Sequence, residues 1–156
     1  TIDPLTFHKK FSAEDFDFQY NLRSNRPDYE RTVIPEWIER SAKVRSNFSD
    51  TLDIQYGAGQ KQQLDLFRVE KKDAPTLVYF HGGYWQRGDK SIYSFLAPSF
   101  NSENINFITI GYDLCPAVTI TEISAQAREA LKFIWIINKY ARAPTYLFRK
   151  NKRSTR

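Results

Sequence analysis

The feature that most constrains the fold is an apolar run that stops at two adjacent glycines. Residues 76–80 read TLVYF, and residues 81–85 read HGGYW. A short, continuous apolar run of this kind predicts a strand that is buried on both faces in a parallel sheet. Adjacent glycines bare the backbone N–H groups and let a ligand approach closely. The sequence therefore predicts a buried strand with a backbone-lined site at its carboxyl end.

The composition indicates a single packed domain. A chain of 156 residues, 41% hydrophobic and 15% aromatic, can bury one ordinary core but not two. The lone cysteine, Cys115, excludes an internal disulfide and favours a reducing compartment. Charged side chains are spread through the first 20 residues, so these residues contain no apolar core of a signal peptide. No apolar run reaches the roughly 20 residues of a membrane span. We expect a cytoplasmic protein with no membrane partner.

The net charge of +5 resides at one end of the chain. Residues 149–156 carry five basic side chains and no acidic one, which leaves 18 basic against 18 acidic side chains elsewhere. A short terminal basic run is usually solvated, so a disordered tail without a nucleic-acid partner is the expectation. Binding of nucleic acid through this tail is an alternative, and it predicts an affinity that falls steeply with salt.

Helical signals dominate residues 1–50. Residues 12–15 (SAED) combine a cap with first-turn acids and predict a short helix to about Tyr20. A second helix should follow with Pro27 in its first turn, and Pro35 should kink or split it. Its apolar side comprises Val33, Trp37, Ile38 and Val44. We interpret residues 1–50 as a helical collar packed on a domain.

From residue 51 the apolar residues alternate with polar ones, which is the spacing typical of strands. Alternating apolar residues on either side of a glycine-containing turn predict an antiparallel hairpin. These residues are Leu52, Ile54 and Tyr56, then Leu64, Leu66 and Val69. A turn at 71–75, the strand at 76–80, a helix from about Ser91 to Ser102 and a strand at 106–110 then predict a βαβ unit.

A long helix should cover this sheet. Residues 119–122 (TITE) form a capping box, and the residues that follow keep the spacing of one apolar helical face. That face comprises Ile120, Ile123, Ala127, Leu131, Ile134 and Trp135. Residues 145–148 (TYLF) predict one more strand. Residues 51–148 therefore predict an α/β fold in which an antiparallel hairpin precedes βαβ units of a mostly parallel sheet.

The glycine turn suits an oxyanion hole. Acyl transfer builds negative charge on a carbonyl oxygen, and fixed backbone N–H donors stabilise that charge. The N–H groups of Gly82, Gly83 and Tyr84 are the candidate donors, because in α/β-hydrolases a loop of the HGGG type follows the third strand. A tight turn that needs positive φ is the alternative interpretation of Gly82 and Gly83.

The neighbouring side chains support two interpretations. His81 is interpreted as a structural residue whose ring bonds the local backbone, because a general base here would face the oxyanion rather than the nucleophile. Tyr84 and Trp85 either pack in a core or line a pocket for the acyl or aryl part of a substrate.

Three stretches together resemble a known family. They are residues 56–67, with YGAGQ and LDLF, residues 81–89, with HGGYW followed by Gly88 and Asp89, and residues 112–122, with YDLCP leading to Thr119 and Glu122. Over about residues 50–140 the chain resembles the N-terminal half of the arylformamidases, or kynurenine formamidases, on the α/β-hydrolase fold. The HGGYW and YDLCP pair is more specific than a lone HGG.

The resemblance implies hydrolysis of N-formylkynurenine to kynurenine and formate in tryptophan breakdown. It implies a serine nucleophile with Asp and His partners, and neither metal nor cofactor. The N–H groups of Gly82, Gly83 and Tyr84 match the oxyanion loop of the family.

The chain departs from the family pattern at the nucleophile. A nucleophile elbow needs Gly-x-Ser-x-Gly at a strand-to-helix turn, and the sequence contains no such motif. Residues 149–156 stand where the family places it, and Ser154 there has no flanking glycine. We expect a truncated α/β-hydrolase, from a truncated or frame-shifted gene product or from one half of a complex. Nucleophile, acid and base are then absent, so the chain is expected to be inactive alone.

Other functions remain open. A carboxylesterase-like hydrolase half is one, because an oxyanion loop serves any acyl transfer. A non-catalytic fragment that binds small ligands or partner chains is another. An unpaired sheet edge would also favour self-association of the chain.

Overall fold

A computed structural model describes residues 11–21 and 25–140. The predicted strand at 145–148 and the basic tail lie outside the described residues. The chain divides into two compact units, Thr1–Glu36 and Trp37–Arg156. Each unit is described by itself below.

Two helices begin in the first unit. Helix α1 spans Ala13–Tyr20, and its cap Ser12 exchanges hydrogen bonds of 2.8 and 3.1 Å with Asp15, which confirms the predicted start and length. A π-helix, Tyr29–Val33, then passes into helix α2, Ile34–Arg45. The change of helix type just before Pro35 confirms the predicted split, because proline has no N–H to donate to the preceding turn. Pro27 lies before the π-helix rather than in its first turn.

The second unit contains a four-stranded sheet. Its strands are β1 (Ile54–Gln55), β2 (Gln63–Phe67), β3 (Thr76–Phe80) and β4 (Asn106–Ile110), in the spatial order β1-β2-β4-β3. The hairpin β1–β2 is antiparallel as predicted, although Leu52 and Val69 lie outside it. β2 also runs antiparallel to β4, whereas β3 runs parallel to β4. The described sheet is therefore mixed.

One prediction about β3 is wrong. All five residues of this strand are only half-buried, whereas β2 and β4 are buried along most of their length. The reason is position, because among the described strands β3 pairs with β4 alone and its other edge has no neighbour. The apolar sequence of β3 matches a central strand, but its burial is that of an edge strand.

The sheet separates two apolar clusters, since alternate side chains of a strand point to opposite faces. On one face, Leu64, Leu66, Ile108 and Ile110 pack against Ala130 and Ile134. On the other face, Phe67, Phe107 and Ala97 form the second cluster. Helices therefore cover both faces, as expected of an α/β fold.

The connection between β3 and β4 is helical, and the βαβ prediction is confirmed. It consists of a 3₁₀ helix, Lys90–Leu96, and a short helix α3, Ala97–Asn101. Asp89 caps the 3₁₀ helix by accepting the Ser91 amide at 2.9 Å. The predicted single helix is therefore two short pieces.

Helix α4 spans Ile120–Tyr140 and begins at the predicted capping box of Thr119 and Glu122. Its predicted contact face is only partly correct. The buried residues are Ile123, Gln126, Ala130, Ile134 and Ile137, whereas Ile120, Leu131 and Trp135 are exposed. The buried and the exposed apolar residues form two adjacent stripes along the helix, and the sheet covers the stripe that includes Gln126. Gln126 Oε1 accepts from the Asp113 amide at 2.9 Å, and Gln126 Nε2 donates to the Asp113 carboxylate at 3.0 Å.

Candidate active site

The two most specific motifs meet at one edge of the sheet. β3 and β4 are parallel, so their carboxyl ends lie side by side. His81 follows β3, and Gly111 and Tyr112 follow β4. The carboxyl edge of parallel strands is where α/β folds place their ligands. The HGGYW and YDLCP segments, which start 31 residues apart in sequence, therefore share one candidate site.

Direct contacts join the two segments. The Tyr112 hydroxyl donates a hydrogen bond to the His81 carbonyl oxygen, and the two rings stack with centroids 4.4 Å apart. The Cys115 amide donates to the Trp85 carbonyl oxygen at 2.8 Å. The loop after β4 thus holds the loop after β3 at both of its ends.

The two glycines of the motif differ in what a side chain at each position would meet. Gly83 has φ of 132°, and a Cβ there would overlap the Arg87 carbonyl oxygen, so the tight-turn interpretation holds for Gly83. A Cβ at Gly82 would meet no atom within 4 Å, and its φ is not in the left-handed region. No described neighbour requires glycine at position 82, and the space beside it is open to a ligand.

Three consecutive amides at this turn are available as donors. Within residues 11–21 and 25–140, the N–H groups of Gly82, Gly83 and Tyr84 donate no hydrogen bond. Each of these N–H groups shares a peptide unit with the carbonyl of the preceding residue, and each of those carbonyls accepts a hydrogen bond. The His81 carbonyl accepts the Tyr112 hydroxyl. His81 Nδ1 lies 2.8 Å from the Gly82 oxygen, and the amides of Gln86 and Arg87 both lie 3.1 Å from the Gly83 oxygen. Because a peptide unit is planar, these bonds orient the N–H groups on its opposite side.

The aromatic residues of the turn are not core residues. Tyr84 and Trp85 are 79% and 48% exposed, and both have positive φ, 53° and 62°. Such backbone costs about 1–3 kcal/mol for a bulky residue and persists only where its surroundings impose it. The turn therefore presents two aromatic rings next to three unpaired amides.

His81 is buried under the turn. Its ring is stacked between Tyr112 and Tyr93, with the Tyr93 centroid 6.0 Å away. Burial lowers the pKa of His81, and its hydrogen bond to the Gly82 carbonyl opposes that shift only in part. A neutral imidazole that carries its proton on Nδ1 satisfies this geometry, with Nδ1–H donating to the Gly82 oxygen.

Sequence reasoning missed a group of four charges beside the site, of which Asp65 and Lys90 are buried and Asp53 is half exposed. Lys90 Nζ lies 2.6 Å from Asp53 Oδ1 and 2.7 Å from Asp65 Oδ1, and Arg45 also binds Asp65. Asp65 and Lys90 are almost fully buried. The available signal was an aspartate between two leucines in β2, since a buried carboxylate needs a cation.

A polar cavity of about 350 Å³ opens next to these charges. Its lining includes Arg45, Lys90, His81, Gly88 and Tyr112. Gly88 has φ of 103°, and a Cβ there would lie 2.7 Å from His81 Nδ1. A larger cavity of about 620 Å³ lies at the amino ends of β3 and β4, away from the glycine turn.

The described residues contain neither a metal-binding cluster nor a membrane-spanning helix. No group of three or more His, Cys, Asp or Glu side chains there could hold a metal ion. None of the helices in the described part of the chain has the length and apolarity to cross a membrane.

The sheet order, the covering helices and the glycine loop after β3 define an α/β-hydrolase fold. A solved protein from Silicibacter sp. tm1040, described as a thioesterase candidate, superposes with a TM-score of 0.60 and 35% sequence identity. The match covers 64% of this chain and 38% of that protein. No family model matches the sequence.

The curated relatives point to a particular kind of hydrolase. Kynurenine formamidase from Salmo salar is 25% identical over 125 residues, which are 79% of this chain and 42% of that protein. The Danio rerio protein of the same name is 25% identical over 85% of this chain and 47% of its own length, and the Drosophila melanogaster one is 30% identical over 61% and 32%. The resemblance to kynurenine formamidases is confirmed, and the chain spans less than half the length of these relatives.

Proposed function

We propose that this chain supplies the oxyanion-binding part of a serine hydrolase that cleaves aryl formamides, with N-formylkynurenine as its substrate. The observation that carries the proposal is the row of three oriented amides at Gly82, Gly83 and Tyr84, none of which donates a hydrogen bond within the described part of the chain. They lie at the carboxyl edge of the parallel strands, where a carbonyl oxygen can approach. The curated kynurenine formamidases support the choice of an aryl formamide.

The chemistry requires these amides at one moment of the reaction. When a nucleophile adds to the formyl carbon, the carbon–oxygen double bond becomes a single bond and the oxygen becomes negative. Backbone donors 2.7–3.1 Å from that oxygen stabilise it, and each is worth about 10²- to 10³-fold in rate. Collapse of the adduct breaks the carbon–nitrogen bond, and the arylamine leaves with a proton. Water then releases formate from the nucleophile.

The exposed rings of Tyr84 and Trp85 are proposed to contact the aryl part of the substrate. Both residues are neighbours of the donor amides in the turn, and their side chains are exposed. An aromatic face offset-stacked on the substrate ring contributes roughly 0.5–1.5 kcal/mol beyond the apolar area it buries. His81 is proposed to remain structural, because its ring is stacked beneath the turn.

We further propose that residues 1–156 lack the nucleophile. The sequence has no Gly-x-Ser-x-Gly, and none of its serines is flanked by a glycine on either side. A fluorophosphonate probe reacts only with an activated serine. We expect no labelling of the 156-residue chain, whereas stoichiometric labelling would overturn this part of the proposal.

The decisive test of activity uses protein translated through the whole reading frame. We expect a Gly-x-Ser-x-Gly downstream of residue 156 in one of the three frames, and formate release from N-formylkynurenine by the protein that contains it. A downstream sequence without that motif in any frame would contradict the proposal. So would a purified protein that is labelled by the probe but leaves N-formylkynurenine intact.

Ester or thioester hydrolysis is the second candidate. The specific observation in its favour is the 35% identity to the Silicibacter protein, which exceeds the identity to each formamidase named above. An oxyanion site of backbone amides accepts any tetrahedral acyl adduct. Parallel assays with p-nitrophenyl acetate, an acyl thioester and N-formylkynurenine separate the candidates by kcat/KM. Ligand binding without turnover of any of them would instead favour the non-catalytic fragment.

A further inference from the structure

The Tyr112 hydroxyl is placed to control one of the three donor amides. We propose that Tyr112 is a positioning residue that orients the Gly82 N–H through the His81–Gly82 peptide unit. This inference rests on the proposed function, because it assigns Gly82 N–H to the oxyanion site. Tyr112 itself does not touch the substrate in this proposal.

The geometry supplies the link. The Tyr112 hydroxyl donates to the carbonyl oxygen of His81, and that oxygen belongs to the same planar peptide unit as the Gly82 N–H. In a trans peptide the C=O and N–H bonds point in opposite directions. A hydrogen bond that holds the oxygen on the buried side therefore holds the N–H on the open side of the turn.

Tyr112 has little freedom to place its hydroxyl elsewhere. The residue is almost fully buried, and its ring lies within 10° of parallel to the His81 ring. Its ring centroid is also 6.3 Å from that of Trp85. The tyrosine is thus held by the loop that it orients.

The same hydrogen bond strengthens the donor. A hydrogen bond to a carbonyl polarises the amide, and this cooperative effect makes the attached N–H a better donor. Burial raises the pKa of Tyr112, so the hydroxyl keeps its proton at neutral pH. Orientation and polarisation act together on the Gly82 N–H.

Tyr56 provides a matched control. Its hydroxyl also donates to a backbone carbonyl, that of Gly111 at 2.6 Å, and its ring packs against the buried cluster that contains Leu64 and Ile108. The Gly111–Tyr112 peptide unit contributes no amide to the glycine turn. Tyr56→Phe therefore removes the same type of hydrogen bond without touching a proposed donor.

The kinetic test compares these variants in the protein that contains the nucleophile. Tyr112→Phe keeps the stacked ring and is expected to lower kcat for N-formylkynurenine about 10-fold, less than the loss of a whole donor, with KM unchanged. Tyr56→Phe should lower the melting temperature by a similar amount and leave kcat unchanged. An unchanged kcat in Tyr112→Phe, or equal falls in both variants, would overturn the positioning role.

A second test needs no activity. In the ¹⁵N-labelled 156-residue chain, Tyr112→Phe should shift the Gly82 amide resonance more than those of Gly83 and Tyr84, and Tyr56→Phe should leave it in place. A Gly82 resonance that does not move would overturn the proposal. A wild-type enzyme with no formamidase activity would contradict the proposed function, while this spectroscopic test of Tyr112 would still be decided.

Discussion

The backbone amide of Cys115 donates a 2.8 Å hydrogen bond to the carbonyl oxygen of Trp85. Trp85 has left-handed backbone, so the bond fixes a residue whose conformation is unfavourable in isolation. Cys115 lies close to Trp85 because β3 and β4 are parallel neighbours, so that their carboxyl ends lie side by side. The shape of the glycine turn thus depends on a segment 30 residues further along the chain.

Substitutions at Gly82 should distinguish the effect of losing its N–H donor from the effect of adding a side chain. Gly82→Ala keeps the N–H but adds a methyl group to the space through which a ligand would approach, so kcat for N-formylkynurenine should fall less than in Gly82→Pro. Gly82→Pro removes the N–H and should lower kcat about 10²-fold in the protein that contains the nucleophile.

Circular dichroism melting curves of both Gly82 variants provide the folding control. Equal activity in the alanine and proline variants, with both folded, would exclude Gly82 N–H as a donor.

Removal of Lys90 should destabilise the second unit. Lys90→Met leaves the buried carboxylate of Asp65 with Arg45 as its remaining cation. We expect a loss of about 3 kcal/mol in the free energy of unfolding, at the lower end for a broken buried ion pair because Arg45 stays. Urea unfolding measures it, and Lys71→Met in the exposed turn is the control. Equal stability of the two variants would show that the buried ion pair contributes nothing.

Acidification should destabilise the fold through His81. Burial lowers the pKa of His81 in the folded chain, so the unfolded chain binds a proton first as the pH falls. The contribution of His81 is present in full above its unfolded pKa of about 6.5 and is lost as the pH falls towards the folded value. Urea unfolding at about pH 7.5 and 5.5 should show this decrease.

The chain offers a simple control for this pH effect, because His8 is the one other histidine. His8→Gln should retain the decrease between these pH values, and His81→Gln should remove most of it. A decrease of the same size in both variants would assign it to other groups.

The outer edge of β3, which no described strand covers, should promote self-association. The strand reads TLVYF, with no charge and no proline, and its outer edge has no neighbour among the described strands. Such edges pair with other chains. Sedimentation velocity of the 156-residue chain at increasing concentration should show oligomers. A monodisperse monomer that melts cooperatively would contradict this prediction.

Local signals in the sequence were read correctly where neighbouring residues decide the outcome. The capping boxes at Ser12 and Thr119 and the strand at Asn106–Ile110 occur as predicted. Each of them depends on side chains within a few residues of one another. The contact face of α4 was harder to predict, because Leu131 and Ile134 are equally apolar and only the sheet selects which of them is buried.

The order of the elements, the glycine turn after β3 and the resemblance to kynurenine formamidases can all be recognised from the sequence. The contacts of Tyr112 and Cys115 with that turn, the ion pair of Lys90 with Asp65 and the pairing of β3 with β4 alone among the described strands are visible only in the folded chain. The difference lies in the distance along the chain over which each kind of interaction acts. Hydrophobic period and capping act over one or two turns of chain, whereas hydrogen bonds, ion pairs and strand neighbours between distant residues exist only after the sheet has assembled.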